Sequence, residues 1–124
     1  MKNIPQISES ELEVMKILWE LGSATSSQII DRIAQITQWK PKTVHTLITR
    51  LVSKGAIKAE KTGGKAFLYL PVIGENEYKT YANHTFLHKL YNGSVQLMLA
   101  SFIKERKLSG AEIESLRKLL EEEV

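Results

Sequence analysis

These 124 residues predict a mainly α protein with one small β-hairpin, and three observations carry that expectation. Apolar residues recur at helical spacing in six stretches: 8–22, 25–36, 40–55, 75–91, 94–106 and 109–123. Helix-start motifs precede several of them. Ser8-x-x-Glu11, Ser10-x-x-Glu13, Thr25-x-x-Gln28 and Ser109-x-x-Glu112 all have the capping-box form. Only between Ala56 and Leu70 does the pattern turn to short extended runs, on either side of Gly63-Gly64.

Composition narrows the classes. The chain has no cysteine, which removes disulfides, iron–sulfur clusters and thiolate metal sites. Its N-terminus lacks the apolar core of a signal peptide, and no apolar run approaches the length needed to span a bilayer. A soluble cytoplasmic protein without stable membrane association is expected. The net charge of +3 is uneven. Residues 1–73 hold ten Lys+Arg against six Asp+Glu, and residues 74–124 hold seven against eight. Most of the excess lies in 40–65, where Lys40, Lys42, Arg50, Lys54, Lys58, Lys61 and Lys65 face the single acid Glu60. Such a run is either a solvated surface or a footprint for a polyanion.

In chain order, residues 1–7 read as a loose arm containing Pro5. The first helix starts near Ser8 or Ser10 and ends at Gly22. Leu12, Met15, Leu18 and Trp19 form its main stripe, widened by Val14, Ile17 and Leu21, so it is central to an N-terminal core. A short second helix follows Thr25 and buries Ile29, Ile30, Ile33 and Ile36. Its first turn, with Ser26 and Ser27, offers N–H groups suited to a phosphate. Thr37–Trp39 is a turn, with Trp39 expected in the core rather than on a ligand.

The helix over Lys40–Gly55 has two jobs. Val44, Leu47, Ile48, Leu51 and Val52 form one apolar stripe. The opposite face, built from Lys42, Thr43, His45, Thr46, Thr49, Arg50 and Ser53, contains no acid. Pro41 suits the first helical position and Gly55 the stop. Donors, small groups and positive charge suit the major groove of DNA. Helix, turn and basic helix make a helix-turn-helix, and the hairpin after it makes a wing with Lys61 and Lys65 at its tip. Lys40, Lys42, Thr43, His45, Thr46, Arg50, Lys54, Lys61 and Lys65 are therefore the candidate DNA contacts. Lys42, Thr43 and Thr46 suit base edges, with methyl or hydroxyl open for the threonines, and His45 suits a base or a phosphate. Arg50, Lys54, Lys61 and Lys65 suit phosphates. For Thr49 and Ser53 solvent exposure is the simpler expectation.

Residues 74–124 read as three helices. The middle one, SVQLMLASFIKER, is apolar on all sides, and about 50 residues bury too little surface to stand alone. A second copy of the chain is the expected cover. The self-association residues are Tyr78, Phe86, Leu90, Val95, Met98, Leu99, Phe102, Ile103, Ile113, Leu116 and Leu120. A homodimer also brings two reading helices to successive grooves of a palindromic site. The domains are thus 1–73, a winged helix-turn-helix, and 74–124, a helical dimerisation region. His84 and His88 are one helical turn apart, but no third metal ligand is evident nearby. No nucleophile–base set or carboxylate pair points to an enzyme, and no cofactor is implied.

The segments PKTVHTLITRLVSKG, with Trp39 before it, the wing end FLYLP, the opening SESELEVMKILWELG and the terminal LSGAEIESLRKLLEEE resemble the BlaI/MecI-type repressors of bacterial β-lactam resistance genes. The resemblance implies a dimeric repressor on inverted-repeat operators, with the wing and the helix of Lys42, Thr43, His45, Thr46 and Arg50 on DNA. It also implies inactivation by proteolysis in the dimerisation region, triggered by a membrane sensor-protease that detects β-lactams. The family's Asn-Phe cleavage point corresponds to Ser101-Phe102, where the Phe is kept and the Asn is replaced. Lys40 stands where a Ser is common before the Pro. The copper-responsive branch uses cysteines that this chain lacks. Two other readings of the same elements are a ligand-responsive MarR-like regulator and a winged-helix protein-interaction module.

Overall fold

The computed structural model describes residues 3–122. The elements run α1 Glu9–Leu21, β1 Ala24–Thr25, α2 Ser26–Ala34, α3 Pro41–Ser53, β2 Ile57–Lys61, β3 Phe67–Pro71, α4 Glu75–Tyr91, α5 Val95–Lys104 and α6 Gly110–Glu122. They fall into two compact units that divide at Tyr81/Ala82, inside α4.

The first unit is a winged helix. Of the two overlapping capping boxes, Ser8 and Glu11 form the one that starts α1, each side chain taking the other's backbone N–H. Thr25 and Gln28 do the same for α2. α1, α2 and α3 enclose a core of Val14, Met15, Leu18, Ile29, Ile33, Val44, Leu47, Ile48 and Leu51, to which Ala56, Ile57 and Ile73 add the floor. The predicted stripes supply this core, with three exceptions. Leu21, at the end of α1, is 40% exposed. Ile36 is 63% exposed because α2 ends at Ala34, so its helical register no longer applies. Val52 lies at the edge of its stripe and is also exposed.

The sheet has three strands rather than two, in the order β1-β3-β2. The two residues of β1 pair antiparallel with the wing, Ala24 opposite Tyr69 and Thr25 opposite Leu68. β2 and β3 pair from Ile57↔Pro71 to Lys61↔Phe67. The loop between them is closed by Thr62, whose hydroxyl donates to the Ala66 carbonyl at 2.8 Å and accepts from Gly64 N–H at 3.3 Å. Gly63 takes the left-handed conformation that this turn requires, with φ +88°.

The N-terminal arm is fastened. Ile4 and Ile7 pack on the core, and the Gln6 carbonyl accepts from Lys54 Nζ at 2.7 Å. The far end of the unit is fastened too. Trp19 Nε1 donates to the Ile73 carbonyl at 2.8 Å, and its ring meets that of Tyr78 at 5.8 Å between centroids. Tyr78, expected on the self-association face, packs within the winged-helix unit.

The second unit holds the rest of α4 with α5 and α6. The Ser109/Glu112 capping box opens α6, and Ser94 caps α5. Among the described residues, not one side chain of α4, α5 or α6 is buried. Leu90, Val95, Leu97, Ile103, Leu119 and Leu120 are each half exposed or more. Leu99, Ile103, Leu108, Ile113, Leu116 and Leu120 line one apolar groove between α5 and α6. No helix among the described residues is long and apolar enough to cross a membrane.

Candidate nucleic-acid interface

Burial sets the orientation of α3. With Val44, Leu47, Ile48 and Leu51 at 0–4% exposure, the helix turns Lys42, Thr43, His45, Thr46, Thr49 and Arg50 to solvent, and all six are exposed. Pro41 occupies the first turn, where a missing N–H leaves no partner unsatisfied. Lys40 is the N-cap and makes no side-chain capping bond; its carbonyl accepts from the Thr43 and Val44 N–H groups at 2.9 and 3.2 Å, and the α3 N-terminus keeps its partial positive charge. No acid lies in its first turn.

Two hydroxyls on this face are turned inward. Thr46 Oγ1 donates to the Lys42 carbonyl at 3.1 Å, and Thr49 Oγ1 to the His45 carbonyl at 2.9 Å. Thr43 has no helical residue four positions before it, so it does not repeat this i−4 bond.

The cations sort themselves by partner. Among the described residues, Lys40, Lys42, Arg50, Lys61 and Lys65 make no ion pair, and all are exposed. Lys58 pairs with Glu60 along β2 at 3.2 Å. Lys54 is different from the phosphate contact expected of it. Its ammonium bonds Glu11 Oε1 at 2.5 Å as well as the Gln6 carbonyl, at the C-cap of α3. Glu11 is 2% exposed. Burial disfavours its charge. The hydrogen bond from Lys54, the Ser8 N–H, the Lys54 charge and the Ser8 hydroxyl together outweigh that effect and hold the carboxyl below the usual carboxylate range. Lys54 thus ties the end of α3 to the start of α1. Sequence reading missed this because the partners are 43 positions apart.

Trp39 is half buried against the core, and its N–H donates to Thr37 Oγ1 at 3.2 Å, as expected of a turn residue. His84 and His88 stack, ring centroids 4.3 Å apart. Among the described residues there is no group of three or more His, Cys, Asp or Glu placed to hold a metal ion. The Ser101–Phe102 bond lies within α5, and the Ser101 hydroxyl bonds Glu105 at 3.2 Å.

A basic, acid-free helix beside a lysine-tipped wing is the arrangement of a nucleic-acid reader, and sequence comparison agrees. The family profile described as penicillinase repressor matches residues 7–122. The chain belongs to that family. It is 42% identical over 122 residues to the penicillinase repressor of Bacillus licheniformis, covering 98% of this chain and 94% of the relative. It is 38% identical over 115 residues to the methicillin resistance regulatory protein MecI of Staphylococcus aureus, covering 93% of each. Among solved structures, the monomeric form of Bacillus licheniformis BlaI in complex with the blaP half-operator matches with a TM-score of 0.55 at 44% identity. That match covers 63% of this chain and 94% of the solved one. The resemblance read from the segments around PKTVHTLITRLVSKG and FLYLP is therefore to the right family.

Proposed function

We propose that this chain is a cytoplasmic transcriptional repressor that binds palindromic operators of β-lactam-resistance-type genes as a homodimer. The observation that carries the reading is the outward face of α3, which is free of acids and bears Lys42, Thr43, His45, Thr46 and Arg50 on a helix fixed by its buried stripe. Family membership and the likeness to a half-operator complex support it. Lys42 and Thr43, near the helix start, are the base readers, with His45 and Thr46 one step further on. Lys40, Arg50, Lys61 and Lys65 neutralise phosphates. Lys54 is left out, because its ammonium is engaged by Glu11.

The homodimer is supported by the second unit, whose described helices bury no side chain of their own. Phe86, Leu90, Val95, Met98, Leu99, Phe102, Ile103, Ile113, Leu116 and Leu120 are the residues that a partner copy covers in this reading. Induction then follows cleavage of Ser101–Phe102 through a membrane sensor-protease, which must first open α5, since a protease needs an extended strand.

The test is binding to genomic DNA fragments across a salt series, with sequencing of the bound pool. The reading expects a dyad-symmetric site whose affinity falls steeply with salt. Weak binding with no enriched site would sink it in favour of a protein-interaction module.

A further inference from the structure

We infer that Thr46 selects thymine through its methyl group and not through its hydroxyl. The inference rests on the operator reading above and deepens it to one atom. Thr46 is exposed at the centre of the acid-free face of α3, one turn after Lys42 and one turn before Arg50. Any duplex gripped by those two cations lies over it.

A threonine hydroxyl has one proton to give. In Thr46 that proton goes to the Lys42 carbonyl at 3.1 Å. The bond turns Oγ1 back against the helix's own preceding turn. A β-branched side chain in a helix is stiff at χ1, so the group left to face outward is the Cγ2 methyl. Thr49, with its hydroxyl on the His45 carbonyl at 2.9 Å, repeats the arrangement further from the helix start. Thr43 lies in the first turn of α3, where the residue four before it is outside the helix, so it lacks the i−4 bond that fixes Thr46.

In the major groove only thymine, among the unmodified bases, presents a methyl, at C5. A methyl set against the amino group of cytosine or the N7 of a purine would strip water from a polar edge without replacing its hydrogen bond, which is unfavourable. Against a thymine methyl it gains apolar contact. Thr46 therefore favours thymine at the base it covers.

The test uses the full chain and the operator duplex recovered from the genomic pool. Each thymine of a half-site is replaced in turn by uracil, which removes only the methyl. The wild-type protein is expected to lose about fourfold in affinity at one such position, the value of one buried methyl-sized group. Thr46→Val keeps the methyl and lacks the hydroxyl, and it is expected to preserve the preference for thymine over uracil there. Thr46→Ser keeps the hydroxyl and lacks the methyl, and it is expected to bind both duplexes alike. Matching thermal unfolding of the three proteins shows that the face alone has changed. Retained discrimination in Thr46→Ser, its loss in Thr46→Val, or equal binding of every uracil duplex by the wild type would overturn the assignment while leaving the operator reading intact. Failure to recover any specific duplex would instead overturn the operator reading, and this assignment with it.

Discussion

Individual side chains on α3 divide into those that hold the helix and those that meet DNA. Arg50 is exposed and unpaired among the described residues, so Arg50→Ala should leave stability within about 0.5 kcal/mol of wild type. It should lower the slope of log affinity against log salt by about one, as loss of one phosphate contact does. An unchanged slope in a salt titration would remove Arg50 from the interface. Glu11 makes the opposite case. It touches no ligand, yet Glu11→Gln should cost about 1–2 kcal/mol in chemical denaturation, because it deletes a charge-assisted bond to Lys54 at a buried site. The pH dependence has a definite sign. The folded carboxyl titrates lower than the unfolded one, so its contribution is fully present above the unfolded pKa and is lost as pH falls through the folded value. Wild type and Glu11→Gln should therefore converge in stability on acidification. Curves that stay parallel would show that the pair is energetically silent.

At the level of elements, the N-terminus of α3 trades stability for charge. Lys40 caps nothing. Lys40→Ser should supply the missing side-chain cap and raise stability by about 0.5–1 kcal/mol. The same change should weaken operator binding and flatten the salt slope, since it removes a cation beside the helix start. A rise in melting temperature with a fall in affinity is the expected pair of readings, and unaltered affinity would place Lys40 off the DNA. The wing shows how a third element can be hidden. β1 is two residues long, too short for any alternation to register. Ala24 and Thr25 extend only because β3 lies alongside them. The same shortness explains why the capping threonine of α2 doubles as a strand residue.

At the scale of the whole molecule, the two units differ in self-sufficiency. The first has a core of side chains at 0–4% exposure, whereas the described helices of the second have no buried side chain. The proposed dimer accounts for that contrast. Ile103 is 50% exposed, so an acid there should not disturb the fold of a lone chain. Ile103→Asp should nonetheless convert the protein to a monomer in sedimentation, and operator affinity should drop by more than about tenfold as the two half-sites become independent. An intact dimer would move the interface away from the α5–α6 groove.

The sequence by itself determined the winged helix-turn-helix, because the signals for it are local. Capping boxes at Ser8 and Thr25, the stripe Val44–Leu51 and the Gly63-Gly64 turn each act within a few residues, where pattern and physics coincide. The reading face of α3 was legible for the same reason: burying one side of a helix dictates the other. What depended on contacts far apart in the chain was decided only by the tertiary structure. Lys54 meets Glu11 across 43 positions, Trp19 holds Ile73 across 54 and draws Tyr78 into the first unit, and β1 exists only against β3. Rotamer choice was also decided by the structure, although the partner here is one helical turn away. The pattern placed Thr46 on the outer face with methyl and hydroxyl equally open, and the bond to the Lys42 carbonyl decided between them.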